Sequence, residues 1–140
     1  MQSDANESSK SMLWTGRILS GLAALFMLMD GVMKVFKPSF VVQASAKMGY
    51  PESTLFGIGV ALVVSTVVYI IPRTSILGAI LLTGYLGGAV ASNVRMETPL
   101  FNVAFPVVFA IFIWGGLWLR DSRLRGLLPL TAEAPTAIQT

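Results

Sequence analysis

An aspartate and a lysine stand four positions apart inside the first hydrophobic stretch of the chain, FMLMDGVMKVF at residues 26–36. Residues at this spacing share one face of an α-helix, so the carboxylate of Asp30 and the ammonium of Lys34 can form an ion pair. Charges inside a bilayer are costly and usually face other helices. Two interpretations are open: the pair neutralises a lysine where the helix leaves the apolar core, or it belongs to a polar pocket that binds a headgroup, a quinone or an anion.

A second pattern, GYLGGAVASNVR at residues 84–95, combines small residues with polar ones. Gly84, Gly88 and Ser92 repeat every four residues, as in helices whose backbones approach each other closely. This spacing predicts that they form a helix-packing surface, against the first hydrophobic helix or a second subunit. A ligand that approaches the bare backbone is the alternative.

The same stretch also supplies hydrogen-bonding groups. Tyr85 and Asn93 add a hydroxyl and an amide, and Arg95 projects from nearly the same face as the small residues. We expect all three to join Asp30 and Lys34 at one end of a helical bundle, as ligand-binding residues or as partners of a buried ion pair. Tyr50 and Tyr69, which lie near the ends of hydrophobic stretches, are expected to be interface anchors.

The composition indicates which elements must position these residues. Of the 140 residues, 54% are hydrophobic and only 12% are charged, whereas about a quarter are charged in typical soluble domains. Each of four apolar stretches is long enough to cross about 30 Å of hydrocarbon as a helix. They cover approximately residues 13–36, 55–71, 75–94 and 100–119. The predicted fold is an all-α, integral membrane four-helix bundle in a lipid bilayer.

The connections between these stretches are short, except for one. Residues 37–54 separate the first two stretches, and apolar residues at helical spacing predict a short interfacial helix there. The predicted domain organisation is a flexible polar tail over residues 1–12, the transmembrane domain over 13–128 and a flexible C-terminal tail over 129–140.

Basic residues predict the orientation of the bundle. With four spans, both termini lie on one side, and that side has six basic residues against four on the other. The excess favours a cytoplasmic location for both termini. The first group is Lys10, Arg17, Arg73, Arg120, Arg123 and Arg125, and the second is Lys34, Lys37, Lys47 and Arg95.

The residue inventory excludes several kinds of chemistry. The chain has no cysteine and no histidine, so thiolate, iron–sulfur and imidazole chemistry are absent. Its acidic residues do not cluster, and no metal site, intrinsic cofactor or nucleic-acid partner is expected. No catalytic triad, phosphate loop or dinucleotide motif occurs. We therefore expect no catalysis by the chain on its own.

The order of these features resembles the DoxX-like family of small four-helix bacterial membrane proteins. The resemblance rests on DGVMK, MGYPES, YIIPRTSILGAILLTGYLGGAVASNVR, PLFNVAFPVV and WGGLWLRDSRLRGLLP, and it extends over approximately residues 14–129. It implies a location in the bacterial inner membrane. It also implies a link to membrane redox complexes, since the family is named after a subunit of a thiosulfate:quinone oxidoreductase.

Two positions depart from the pattern that the resemblance implies. Many relatives carry a glutamate where this chain has Leu62, and often a histidine where it has Asn93. The groups best suited to proton or ligand chemistry are therefore missing, which weakens the transfer of a redox or quinone role.

Three functions are compatible with the sequence. The preferred hypothesis is a non-catalytic accessory subunit of a larger, quinone-linked membrane complex, because packing requires small residues rather than reactive ones. The alternative is a binder of a small lipophilic molecule such as a quinone or a lipid. A small transporter is the third, although no inverted repeat is evident. The expected protein partner is a larger membrane complex or a second copy of the chain in a homo-oligomer.

Overall fold

The computed structural model describes residues 2–128, and every regular element in that range is an α-helix. Six helices follow one another within these residues. They are α1 (Gln2–Phe36), α2 (Ser39–Lys47), α3 (Glu52–Ile70), α4 (Ser75–Arg95), α5 (Leu100–Arg120) and α6 (Ser122–Leu127).

Four of these helices are long and apolar enough to cross a membrane. They are Ser9–Phe36 within α1 and the whole of α3, α4 and α5. The predicted all-α membrane bundle is confirmed, and a short helix, α2, lies between the first two spanning helices as predicted. No residue of α2 is buried, and Phe40 is 60% exposed. The location of α2 at the membrane interface stays a prediction that these exposed apolar side chains favour.

Proline residues set the start of three helices. Pro38, Pro51 and Pro99 immediately precede α2, α3 and α5. A proline suits these positions because its fixed φ directs the chain into the first turn and its missing N–H would have no helical acceptor there. Between α2 and Pro51, Gly49 adopts a φ of +82°, which side chains other than glycine rarely tolerate. These residues allow the chain to reverse direction over short connections.

The packing order of the spanning helices differs from the order along the chain. Both α1 and α4 pack against α3 and α5, so α1 and α4 lie diagonally opposite each other in the bundle. The core between them is apolar and includes Ala23, Met27, Leu82 and Leu117, each 2% exposed or less. Of the two partners predicted for the small residues of α4, α1 is therefore not a packing neighbour.

Close helix contacts occur at other glycines, and two pairs of them lie on either side of α1. A Cβ added to Gly16 would lie 2.8 Å from the carbonyl oxygen of Gly116 on α5, and one added to Gly59 on α3 would lie 2.8 Å from that of Gly31. Only hydrogen fits at these crossings, so the two glycine pairs fix the distance between α1 and its neighbours.

The amino-terminal end differs from the sequence prediction. Residues 2–12, predicted as a flexible tail, belong to α1, which begins at Gln2. No glycine or proline occurs before Gly16, so no strong helix breaker interrupts the extension of a helix that the spanning segment has already nucleated. The predicted C-terminal tail, residues 129–140, lies outside the described residues.

Candidate functional site

The ion pair predicted within α1 is present. The Nζ of Lys34 bonds Oδ1 of Asp30, one helical turn away. The two side chains are only partly exposed, by 17% for Lys34 and 31% for Asp30. The pair lies near the end of α1 that leads into α2, on the side of the helix that faces the bundle. Each charge therefore has a partner where water is scarce.

A third residue joins the pair from α4. The hydroxyl of Tyr85 donates a hydrogen bond of 2.9 Å to Oδ2 of Asp30. The ammonium of Lys34 also lies 5.9 Å from the centre of the Tyr85 ring. Both oxygens of the carboxylate are thus occupied, and the ammonium still has donors beyond the one used for Asp30. The structure brings together three of the five predicted polar residues in this cluster.

The approach of α3 to α1 helps to place Lys34. A Cβ added to Gly59 would lie 2.9 Å from the Cβ of Lys34, so a larger residue on α3 would displace the lysine stem. Gly31, directly after Asp30, allows the same contact from the other side, because a Cβ there would lie 2.8 Å from Cγ2 of Val63. The glycine in the DGVMK motif therefore positions the charged pair through helix packing.

A cavity of about 450 Å³ opens beside this cluster. It lies between α2, the first half of α3 and the second half of α4, and Lys34 is the only charged residue in its described lining. Most of the wall is apolar or bare backbone, contributed by Ala44, Met48, Leu55, Ile58, Gly84 and Gly88. The uncharged polar groups come from Ser45, Tyr50, Tyr85, Ser92 and Asn93.

The two glycines predicted as packing residues form part of this cavity wall. A Cβ added to Gly84 or Gly88 would meet no atom within 4 Å, so no described helix packs closely against either glycine. This open space agrees with the second interpretation of the glycine spacing, in which a ligand approaches the bare backbone of α4. Packing of this surface on a second subunit stays a prediction. The spacing of the glycines in the sequence indicates a surface of small residues on α4. The packing order of the helices decides whether another helix or open space faces that surface.

Ser92, the third residue of the predicted packing surface, is buried and hydrogen-bonded. Its hydroxyl donates to the carbonyl oxygen of Gly88 at 2.8 Å, and it also bonds the hydroxyl of Tyr50. Tyr50 therefore ties the segment after α2 to α4. Tyr50, predicted from the sequence as an interface anchor, lines the cavity, which the sequence did not indicate. The only signal was its position in MGYP, directly before the second spanning helix.

The last two of the five predicted residues, Asn93 and Arg95, form hydrogen bonds with other residues of the protein. The amide nitrogen of Asn93 donates to the Ala89 carbonyl at 2.9 Å, and its oxygen accepts from Thr98 at 2.9 Å. Arg95 is exposed and donates to the Met48 carbonyl at 3.2 Å. Within residues 2–128 no hydrogen bond or ion pair joins Arg95 to Asp30 or Lys34, so it supports the end of α2 and does not extend the charged cluster.

Two further positions are part of the protein core. Leu62, where many relatives were expected to carry a glutamate, is completely buried among apolar side chains and does not line the cavity. Tyr69, predicted as an interface anchor, is 1% exposed and bonds Ser20 and the Ile113 carbonyl at 2.9 Å each. This anchor prediction is wrong, because the tyrosine faces the bundle and holds three helices together.

Comparison with known proteins identifies the family but gives no individual relative. The family model described as the DoxX-like family matches residues 18–116. No curated protein and no solved structure matches the chain. Among the described residues no group of acidic side chains could hold a metal ion. The family match covers most of the chain and most or all of each spanning helix, so the chain belongs to the DoxX-like family.

Proposed function

We propose that this DoxX-like membrane protein binds a neutral, membrane-soluble molecule with a carbonyl group, such as a quinone, in the cavity beside Lys34. The observation that carries the proposal is the combination of an apolar cavity with a single charged lining residue that is already neutralised. Lys34 pairs with Asp30, so the site provides a strong hydrogen-bond donor without net charge. Such a donor favours a neutral oxygen acceptor over an anion.

The size and lining of the cavity support a small lipophilic ligand. A volume of about 450 Å³ lies within the range of roughly 300–1,000 Å³ that is usual for small-molecule sites. A flat ring can lie against the bare backbone at Gly84 and Gly88, where no side chain occupies the space. Leu55 and Ile58 supply apolar contacts on the α3 side. A ligand of this kind would enter from the membrane.

A second candidate, the non-catalytic accessory subunit, is favoured by a different surface. Gly87 and Ala91 are exposed on α4, and a Cβ added to Gly87 would meet nothing within 4 Å. A smooth strip of this kind suits close packing on another membrane helix, in a larger redox complex or in a second copy of the chain. Binding of a quinone and membership of a quinone-linked complex are compatible proposals.

The proposed location is the bacterial inner membrane, with both termini in the cytoplasm. The excess of basic residues on the side of the termini, six against four, supports this orientation.

Two neighbouring glycines allow a matched test of ligand binding. Gly88 lines the cavity and Gly87 does not, although an added Cβ finds open space at both. We expect Gly88→Leu to weaken the binding of a short-chain benzoquinone by more than about tenfold, equivalent to about 1.4 kcal/mol, and Gly87→Leu to leave it unchanged. Binding would be measured on the full chain in lipid nanodiscs by equilibrium dialysis. Equal binding by wild type and Gly88→Leu would overturn the proposed site.

Native mass spectrometry of the protein released from its own membrane tests the accessory proposal. A complex with a larger membrane protein would support it. If only a monomer or a homo-oligomer is found, the accessory proposal is wrong, and a small bound mass would support the ligand-binding proposal.

A further inference from the structure

A second cavity, of about 320 Å³, lies at the opposite end of the bundle from the quinone-type site. Arginines from three helices border it: Arg17 on α1, Arg120 at the end of α5 and Arg123 on α6. Asp121 is the one acidic residue in the lining. Three positive charges thus converge on this cavity against one negative charge, a net charge of +2.

The acidic residue is already used by one of the arginines. Arg123 bonds both oxygens of Asp121, at 3.2 Å through Nε and 2.9 Å through Nη2. It also donates to the Pro72 carbonyl at 2.7 Å. The other two arginines, Arg17 and Arg120, have no ion-pair partner among the described side chains.

Arg120 is held in place but short of hydrogen-bond acceptors. Its guanidinium lies 5.2 Å from the centre of the Tyr69 ring and donates one long bond of 3.5 Å to the Tyr69 carbonyl. Its buried Nε has no acceptor among residues 2–128. Polar groups that are removed from water normally have partners, so a guanidinium with a single long bond indicates an acceptor that binds from outside the chain.

The position of the cavity corresponds to the headgroup level of a membrane. It lies where α1 begins its hydrophobic part and where α5 ends. Trp14 is 63% exposed and lies 5.8 Å from the guanidinium of Arg17. Exposed tryptophans are typical of the membrane–water boundary. Leu13 adds an apolar wall to the cavity.

From these observations we infer that the cavity binds the phosphate of an anionic membrane phospholipid. Arg17 and Arg120 supply the uncompensated charge and the free donors, as arginines do for phosphate oxygens. The apolar surface of the bundle contacts the first part of the acyl chains. This site is separate from the proposed quinone site, since it uses the other end of the bundle and an anion instead of a neutral carbonyl.

The test compares two lipids that differ in headgroup charge. The full chain in detergent would receive equal amounts of phosphatidylglycerol and phosphatidylcholine, and native mass spectrometry would count the lipids retained. We expect a clear preference for phosphatidylglycerol. Since a basic group near an anionic lipid surface contributes about 1 kcal/mol, Arg17→Gln and Arg120→Gln should each reduce that preference roughly fivefold.

Arg73→Gln is the matched control, because Arg73 is exposed, lies at the same end of the bundle and does not line the cavity. Arg17 is also exposed, so Arg17→Gln keeps the test valid if Arg120→Gln fails to fold. Equal retention of the two lipids by wild type, or an equal preference in Arg17→Gln and Arg73→Gln, would overturn the inference.

A competition with inorganic phosphate distinguishes a lipid headgroup from free phosphate as the bound anion. Displacement of the lipid by phosphate at equal concentration would refute a lipid site, and continued retention of the lipid would support it.

Discussion

The hydroxyl of Tyr85 on α4 lies 2.9 Å from Oδ2 of Asp30 on α1, a contact between residues 55 positions apart in the chain. It connects two helices that do not pack side by side, since α1 and α4 are diagonally opposite in the bundle. Asp30 therefore has two roles. It neutralises Lys34 on its own helix and holds the wall of the cavity through Tyr85.

The first prediction concerns the ion pair. Asp30→Ala should lower the free energy of unfolding by about 2–3 kcal/mol, because it leaves Lys34 without a counter-charge and Tyr85 without an acceptor. The double variant Asp30→Ala with Lys34→Ala should lose less, since no unpaired cation remains. Chemical unfolding of both variants in the same detergent checks this. An Asp30→Ala variant as stable as wild type would contradict the ion-pair interpretation.

The second prediction isolates the bond between Tyr85 and Asp30. Tyr85→Phe should cost about 1 kcal/mol of stability, because the ring remains and only the hydroxyl is lost. The same substitution should cost almost nothing in the Asp30→Ala background, where the acceptor is already missing. A double-mutant cycle measures this difference. Equal costs in the two backgrounds would show that the hydroxyl does not interact with the carboxylate.

The third prediction compares two glycines on α3. Gly59→Ala should destabilise the protein by about 1–3 kcal/mol, since the new methyl group would press on the backbone of α1 at Gly31. Gly57→Ala is the control, because a Cβ there meets nothing within 4 Å. It should be neutral or slightly stabilising, as alanine favours a helix over glycine. The midpoints of thermal unfolding give the comparison, and similar midpoints would refute the close contact.

The fourth prediction concerns the segment that covers the cavity. Tyr50→Phe removes the bond to Ser92, so residues 39–50 should open more often and exchange their amide hydrogens faster. Ser92→Ala should have the same effect, because it removes the other partner. Hydrogen–deuterium exchange of the two variants measures this, with α5 as the internal reference. Unchanged exchange in residues 39–50 would mean that this bond does not fasten the segment.

The fifth prediction is a dependence on pH at α6. The hydrogen bond from the Arg123 side chain lowers the pKa of Asp121 below its ordinary value of 3.8. Asp121 also accepts from the Arg123 N–H at the start of α6. Because the folded pKa is the lower one, this support for α6 is fully present above pH 3.8 and is lost as the pH falls through the folded value. Asp121→Asn should abolish the dependence. Carbon chemical shifts of residues 122–127, recorded against pH, would check both statements.

The sequence was sufficient for the local features of this protein. Stretches long enough to span a bilayer predicted the four helices, because burial of backbone in hydrocarbon requires helical hydrogen bonding. The pairing of Asp30 with Lys34 was equally predictable, since a spacing of four residues brings two side chains together in any helix. The small residues at Gly84 and Gly88 were recognised as a smooth surface.

What faces each surface was decided only by the tertiary structure. Helical spacing defines the faces of one helix, but the neighbour of each face depends on how all the helices pack together. For this reason the contact of Tyr85 with Asp30, the cavity at Gly84 and Gly88 and the burial of Tyr69 could not be read from spacing. The tight crossing of Gly31 and Gly59 has the same origin, because it required a partner helix 28 residues away in the sequence.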